Sequence, residues 1–359
     1  EKHITSDLTL PTIGASGTTI SWKSSNPSVL SNEGKVTRPK KGAADEEVTL
    51  KGTVKMGDYA KARKFAFVVL AESEMGPTKE FALDQVELLD DYYLTAQNSD
   101  IEFLKKFDND RLLSRFRETA GLDTKKIAPY GGWEDGWLGG HSVGHYLTAI
   151  AQAVKATGNA DLKEKSKQLI KGLAECQNKL GTGFIFGAKI ETEGYVEKQF
   201  DILEGKTTGK TWVPWYNMHK MLTGLVDTYE YTGNKQALEV AKKLGDWIYN
   251  RVSKWDAGTQ GRVLGTEYGG MNDCLYELYL CTRDSKHLEA AHKFDQPNLY
   301  KTVAKGGKNC LNGKHANTTI PKFLGALKRY VVLEQTGELT KDDEAYLTNV
   351  EKFFDIAVT

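Results

Sequence analysis

Hydrophobic and polar residues alternate through much of the first 71 positions of the chain. A Ser-Asn-Pro turn follows soon after Trp22, and Met56-Gly57-Asp58 separates two stretches with a period of two residues. The clearest alternation places four residues on one side of a strand: Val48, Leu50, Gly52 and Val54. Short strands divided by frequent turns predict a small β-sandwich over residues 1–71.

The periodicity changes after a polar Gly-Pro segment at residues 72–80. Over residues 81–359, apolar positions recur about every 3.6 residues, as in amphipathic helices. A turn with a polar residue after it recurs between these helices, at Thr157, Thr232 and Thr336, with a degenerate copy at Thr282. Glycine can end one helix in the left-handed conformation, and the polar residue can cap the next helix.

Repeated helix hairpins predict stacked helix pairs, either as an open solenoid or as a closed α/α toroid. Long segments rich in glycine and aromatic residues lie between the hairpins. This distribution favours the toroid, because the loops of a toroid gather at one mouth and loops on a rigid scaffold are common binding sites. The predicted fold is therefore mainly α, with a small N-terminal β-sandwich domain.

Charge and composition argue against two kinds of partner. Lys and Arg total 48, Asp and Glu also total 48, and the isoelectric point is about 7.2. This balance gives no reason to expect nucleic acid or an anionic membrane surface as a partner. No apolar run approaches the roughly 20 residues of a membrane span. The four cysteines are too few for a disulfide framework and show no zinc-binding spacing: Cys176, Cys274, Cys281 and Cys310.

Unusual residues are concentrated at the starts of helices. The first such segment, residues 131–147, reads GGWEDGWLGGHSVGHYL and includes Trp133, Glu134, His141 and His145. Three interpretations are open. Two histidines four residues apart on a helix can bind zinc, or His145 hydrogen-bonds in the core while His141 caps the helix. In the third, imidazole and carboxylate bind the hydroxyls of a sugar while indole covers its C–H faces.

Three further helix starts repeat this chemistry. Their candidate binding residues are, in chain order, Trp215, Asn217 and His219, then Asn272 and Asp273, then His315. Taken singly, a histidine at a helix start is often structural, and Asp273 could be an N-cap. In a toroid, however, all four starts would converge at one mouth, and this convergence predicts a sugar-binding pocket.

Four segments resemble, in order, the motifs of the bacterial β-L-arabinofuranosidase family of glycoside hydrolases: GGWEDGWLGGHSVGHYLTAIA, VPWYNMHKMLTGLVDTYEYTGN, GGMNDCLYELY and LNGKHANTTIPKFLGA. The resemblance covers about residues 80–359 and implies an (α/α)6 toroid, which this chain could hold only in part. It also implies an exo-acting, retaining hydrolase for β-linked L-arabinofuranose in plant glycans, secreted or held at the bacterial cell surface. Residues 10–39 resemble the bacterial immunoglobulin-like modules of secreted carbohydrate-active enzymes.

The resemblance assigns sugar contacts to particular residues. His219 in NMHKM and His315 in GKHANT stand where the family places sugar-contacting histidines. Asn272 and Asp273 occupy a motif that usually reads GMNE, so Asp273 reaches one methylene less far than the usual glutamate. The first motif is matched by Trp133, Glu134 and His141.

The catalytic residues of the family are not found in this sequence. The resemblance implies a zinc ion held by one glutamate and three cysteines, one of which is the nucleophile, and a second glutamate as acid/base. These residues stand after the last motif matched here, so neither zinc ligands nor catalytic residues can be identified. The chain is expected to be either part of a longer polypeptide or a partial barrel that binds without cleaving.

Two alternatives to this hydrolase stay open. One is another α/α-toroid sugar enzyme, an unsaturated glucuronyl hydrolase or a polysaccharide lyase, that uses Asp135 or Asp273 as acid/base. The other is a non-catalytic glycan-binding surface protein. In each case the partner is an oligosaccharide or polysaccharide.

Overall fold

Residues 2–4, 7–14, 17–40, 43–71, 81–188, 195–267, 269–307 and 310–358 are described by a computed structural model. The chain divides into two units, Glu1–Phe81 and Ala82–Thr359. The predicted linker, residues 72–80, lies outside the described residues. No helix in the described part of the chain is both long enough and apolar enough to cross a bilayer.

The first unit contains one four-stranded sheet among its described residues. Its strands are β1 (Lys2–Ile4), β2 (Thr19–Ser24), β3 (Glu46–Met56) and β4 (Tyr59–Val69). They lie in the order β1-β4-β3-β2; β1 pairs with β4 in parallel, and the other pairs are antiparallel. The alternation predicted for β3 is confirmed over Val48, Leu50 and Gly52, which are buried, whereas Val54 is exposed.

Among the residues described for this unit, the second layer consists of loop segments rather than a second sheet. Leu30, which forms an isolated bridge with Val36, is fully buried against Val48, Leu50 and Val69 of the sheet. These loops cover only part of the sheet face, so the predicted sandwich has one regular layer and one irregular layer.

The second unit is helical. Its thirteen helices within the described residues are α1 (Asp91–Lys105), α2 (Asn109–Thr119), α3 (His141–Thr157), α4 (Ala160–Leu180), α5 (Lys198–Leu203), α6 (Pro214–Thr232), α7 (Lys235–Val252), α8 (Ala257–Thr266), α9 (Met271–Thr282), α10 (Ser285–His292), α11 (Pro297–Ala304), α12 (Ala316–Thr336) and α13 (Glu344–Val358). The predicted mainly helical fold with a small N-terminal β domain is confirmed.

The long helices form two rows. In one row α3 packs against α6, α6 against α9, and α9 against α12. The helices that return between them form the second row, in which α4 packs against α7 and α7 against α10. The three hairpins α3–α4, α6–α7 and α9–α10 therefore each contribute one helix to each row, which is the alternation that characterises α/α toroids. All four helices of the first row begin at the same end.

The hairpin turns have the predicted chemistry. Gly158 and Gly233 end α3 and α6 with φ of +69° and +71°, a conformation that favours glycine. Asn159 then caps α4 by accepting from the backbone N–H of Leu162, and Asn234 caps α7 in the same way. In the degenerate copy, Arg283 takes the left-handed position with φ of +55°. These local signals fix where each helix ends.

Candidate functional site

The starts of the four first-row helices are neighbours. Three hydrogen bonds join consecutive starts: Asn217 Nδ2 to Trp137 O (2.7 Å), Trp215 N to Glu267 Oε1 (3.1 Å), and Gly269 N to Thr318 O (3.3 Å). Two of the bonds connect a residue of one predicted motif to a residue of the next, and Glu267 in the remaining bond stands two residues before the GGMNDCLYELY motif. The structure therefore brings the four polar and aromatic motifs into one row, and the sugar-binding pocket that their convergence predicts stays a prediction.

Glu134 organises the start of α3. Its side chain is only 8% exposed, and its two carboxylate oxygens accept from the backbone N–H of Gly140 at 2.6 Å and of Ser142 at 3.1 Å. His141 Nδ1 lies 3.1 Å from the same carboxylate and 2.5 Å from the carbonyl oxygen of Leu138. Burial opposes ionisation of Glu134, but the hydrogen bonds from His141, Ser142 and Gly140 outweigh it and lower its pKa. A carboxylate at a helix N-terminus also interacts favourably with the helix dipole.

His219 is a buried, neutral histidine at the start of α6. It is 8% exposed, and its Nδ1 atom makes no hydrogen bond within the described structure. Burial, followed by the charges of Lys220 and His145, lowers the pKa of His219 to about 3. The ring packs so closely on Gly270 that a Cβ there would lie 2.1 Å from His219 Cε1. A neutral imidazole can both donate and accept a hydrogen bond, as recognition of a hydroxyl requires.

Lys220 lies beside this histidine, and Asp273 lies close enough to Lys220 to affect its pKa. Burial lowers the pKa of the Lys220 amine, although Cys274 and Asp273 act in the opposite direction. Burial also raises the pKa of Asp273, opposed by the nearby Lys328. Asp273 lies in the first turn of α9 but is not its N-cap, which is Gly270. Both side chains are half-buried, so their charged groups lie in a partly desolvated environment.

A polar stripe continues along α6 toward its C-terminal end. It contains Tyr216, Lys220, Thr223 and Asp227, spaced by four, three and four residues on one helix face. Asp227 accepts a hydrogen bond from Thr148 Oγ1 of α3 at 2.5 Å. Burial, followed by repulsion from Glu277 and Asp273, raises its pKa to about 6 despite the hydrogen bond from Thr148.

The stripe extends to α9 and α12, where Glu277 and Lys328 form an ion pair. These residues were not predicted as site residues. The available signal was the regular spacing of polar residues within otherwise apolar helices, which by itself equally describes a solvated helix face.

The remaining predicted residues differ in exposure. Trp133 is 69% exposed and, with Glu134 and His145, lines a cavity of about 470 Å³. His145 belongs to α3; burial of much of its ring, Lys220 and His141 lower its pKa to about 4. His315 is exposed and precedes α12 without capping it through its side chain.

Three predicted residues have structural partners. Trp215 is fully buried, and its ring packs on Phe200 and Phe294 at centroid distances of 4.9 and 5.1 Å. Asn272 is 2% exposed and donates to Asp295 at 2.9 Å. Asn217 is 3% exposed and donates to the first motif, as described above. In this geometry they position the helix starts, and their direct contact with sugar stays a prediction.

The described residues do not fit the zinc site that the resemblance implies. In the part of the chain that the structure describes, the one group of three clustered ligand side chains contains no cysteine: Asp246, Asp284 and His287. The four cysteines are free thiols, and burial raises the pKa of Cys176 to about 11 and that of Cys281 to about 12. Zinc binds the thiolate form, so these environments disfavour coordination.

Comparison with known families decides the classification of the helical unit. Residues 85–359 match the family described as β-L-arabinofuranosidase, GH127 catalytic domain. The chain belongs to this GH127 family. Residues 1–72 match the atrophied bacterial Ig domain, in agreement with the immunoglobulin-like character predicted for them.

Solved GH127 structures are similar over part of their length. A GH127 β-L-arabinofuranosidase from Geobacillus stearothermophilus T6 is 16% identical with a TM-score of 0.46, and the match covers 74% of this chain and 42% of that protein. A second GH127 β-arabinofuranosidase is 14% identical with a TM-score of 0.48, covering 77% of this chain and 43% of that protein. This GH127 chain therefore spans about two fifths of the length of both proteins. The comparison with curated proteins gave no match.

Proposed function

We propose that the intact protein is a glycoside hydrolase that releases terminal β-linked L-arabinofuranose from plant glycans outside the bacterial cell. The observation that carries this proposal is the GH127 match over residues 85–359, which contain all four motif-bearing helix starts. The proposal keeps the exo-acting, retaining chemistry implied by the resemblance. It assigns the nucleophile, the acid/base and any zinc ligands to residues outside this sequence.

The residues of this chain would bind and orient the sugar. His219 is neutral above its pKa of about 3, so one ring nitrogen can donate to a hydroxyl while the other accepts. Lys220 supplies a donor and Asp273 an acceptor next to it, and the exposed Trp133 offers an apolar face. Glu134 acts on the ligand indirectly, since it holds His141 and the start of α3.

Substitution of His219 tests the proposal. In the intact protein, His219→Ala is expected to lower kcat/KM for an aryl β-L-arabinofuranoside by about 100-fold or more, because a buried partner for a sugar hydroxyl is lost. His219→Gln, which keeps a donor and an acceptor, should retain more activity than the alanine variant. Because His219 and His145 are already neutral, neither of these two histidines should contribute a titration to the activity between about pH 5 and pH 8.

The controls separate loss of function from loss of folding. His3→Ala, in the first unit, should leave kcat/KM unchanged, and circular dichroism should show the same helix content for all variants. An unchanged kcat/KM in folded His219→Ala would remove His219 from the site. If the wild type released product only from unsaturated uronides and not from aryl arabinosides, the proposed substrate class would be wrong.

A further inference from the structure

The sheet of the first unit carries an open groove on one face. The groove has a volume of about 840 Å³ and is lined by residues from β2, β3 and β4, among them Trp22, Val54 and Phe65. It occupies the half of the face that the loops described above leave uncovered. Its volume falls within the range of roughly 300–1,000 Å³ typical of small-ligand sites, so it can hold a short chain of sugar rings.

Trp22 forms a fixed aromatic platform in the groove. Its Nε1 donates to the carbonyl oxygen of Pro11 at 2.9 Å, which holds the indole in one orientation. The ring lies directly over Gly52, where a Cβ would come within 2.9 Å of the indole. Phe65 extends the platform at a centroid distance of 5.7 Å from Trp22. Rigid, partly exposed aromatic faces are suited to covering the apolar C–H face of a sugar ring.

The charge on this face is positive. Lys61 and Arg63 line the groove, and no acidic residue is among the described residues that line it. Along β3 and β4, Lys61 and Arg63 are the charged residues that line the groove, whereas Lys51, Lys55 and Lys64 lie on the opposite face of the sheet. The guanidinium of Arg63 lies over Phe65 at 5.5 Å from the ring centroid, which places a planar donor group beside the aromatic platform. An arginine held in this way is suited to binding a carboxylate.

We propose that this groove binds an anionic oligosaccharide, of the class that carries uronate carboxylates. Trp22 and Phe65 pack on the faces of the sugar rings, while Arg63 and Lys61 bind the ring carboxylates. The first unit would thus attach the protein to acidic polysaccharide independently of the site at the helix starts. This binding function differs from the proposed hydrolase activity and does not depend on it.

Calorimetric titration of the full chain with tetragalacturonate tests the proposal. Binding is expected for the wild type, and it should weaken as salt is added, because charge pairs contribute to it. The methyl-esterified tetrasaccharide keeps the rings but lacks the charge, and it should bind about tenfold more weakly or worse. Trp22→Ala should weaken binding of tetragalacturonate by about tenfold or more.

A matched pair of double variants locates the site. Lys61→Gln with Arg63→Gln removes two positive charges from the groove face, and Lys51→Gln with Lys64→Gln removes two from the opposite face, because strand residues alternate. The first pair should weaken binding by about tenfold or more, and the second should change it by less than about twofold. All four residues are exposed, so these variants should fold even if Trp22→Ala does not.

Several results would overturn the proposal. They are an absence of tetragalacturonate binding by the wild type, equal weakening of this binding by both double variants, and equal affinity of the wild type for tetragalacturonate and its methyl ester. Dimerisation of the wild type that Trp22→Ala abolishes, without sugar binding, would instead assign the groove to self-association. Hydrolysis of the aryl arabinoside by the intact protein is a separate readout, and it should be unaffected by the groove variants.

Discussion

Gly270 shows how a single residue fixes the position of the proposed sugar-binding histidine. Its φ is +120°, and a side chain there would collide with the imidazole of His219. Gly270→Ala is therefore expected to destabilise the helical unit by about 3 kcal/mol, through backbone strain and overpacking. Urea unfolding followed by circular dichroism measures this change.

The double variant that combines Gly270→Ala with His219→Ala separates the backbone strain from the overpacking. Removing the ring creates space for the new methyl group, so the double variant should lose less stability than the sum of the single variants. Strict additivity would show that the collision with the ring contributes nothing. The loss of unfolding free energy that remains in the double variant measures the backbone strain at residue 270, which has a positive φ.

At this scale the sequence points to some of the candidate site residues and misses others. Glu134, His141 and His219 are predictable because they stand among glycines and aromatic residues at helix starts. Ordinary helix capping does not require so many of these residues. Lys220 and Asp227 are not predictable from the sequence, because a polar residue within a helix usually marks a solvated face. Only the packing of neighbouring helices makes that face partly enclosed and shifts their pKa values.

At the scale of elements, the contact between α3 and α6 depends on two glycines. A Cβ at Gly224 would lie 2.5 Å from the carbonyl oxygen of Gly144, and one at Gly144 would lie 2.0 Å from that of Lys220. Gly224→Ala is expected to force these helices apart and to cost about 1–3 kcal/mol of unfolding free energy. Because both helices carry site residues at their starts, kcat/KM of the intact protein should fall as well.

Gly261→Ala is the matched control for this prediction. Gly261 lies in α8, is exposed, and has no heavy atom within 4 Å of the position its Cβ would occupy. Alanine there should stabilise the chain by about 0.5–1 kcal/mol, since glycine is a poor helix former. Equal destabilisation by both substitutions would contradict the importance of close helix packing.

The sequence predicts the long helices better than the short ones. Gly158 and Asn159 are local signals that act between adjacent residues, so the hairpins can be predicted without knowledge of the fold. By contrast, α5, α8 and α11 lie in segments predicted as loops. Helices this short gain most of their stability from tertiary packing, as with Phe200 of α5 in the aromatic cluster around Trp215.

For the whole molecule, the polar face shared by the first-row helices makes stability depend on pH. The folded-state pKa of Asp227 is about 6, above the ordinary value of 3.8. The folded chain therefore binds this proton more tightly than the unfolded chain. Its contribution to stability is fully present below about pH 4 and is lost as the pH rises through about 6.

Asp227→Asn removes the ionisation while preserving the shape of the side chain. The variant should be more stable than the wild type at neutral pH by about 2 kcal/mol, and this advantage should disappear near pH 4. Asp110→Asn provides a contrast of opposite sign, because the hydrogen bond from Arg117 lowers the pKa of Asp110. That variant should lose stability at neutral pH, with the loss shrinking in acid. Urea unfolding at both pH values measures the two differences, and a gain from Asp227→Asn that did not vary with pH would show that the cost of Asp227 is not electrostatic.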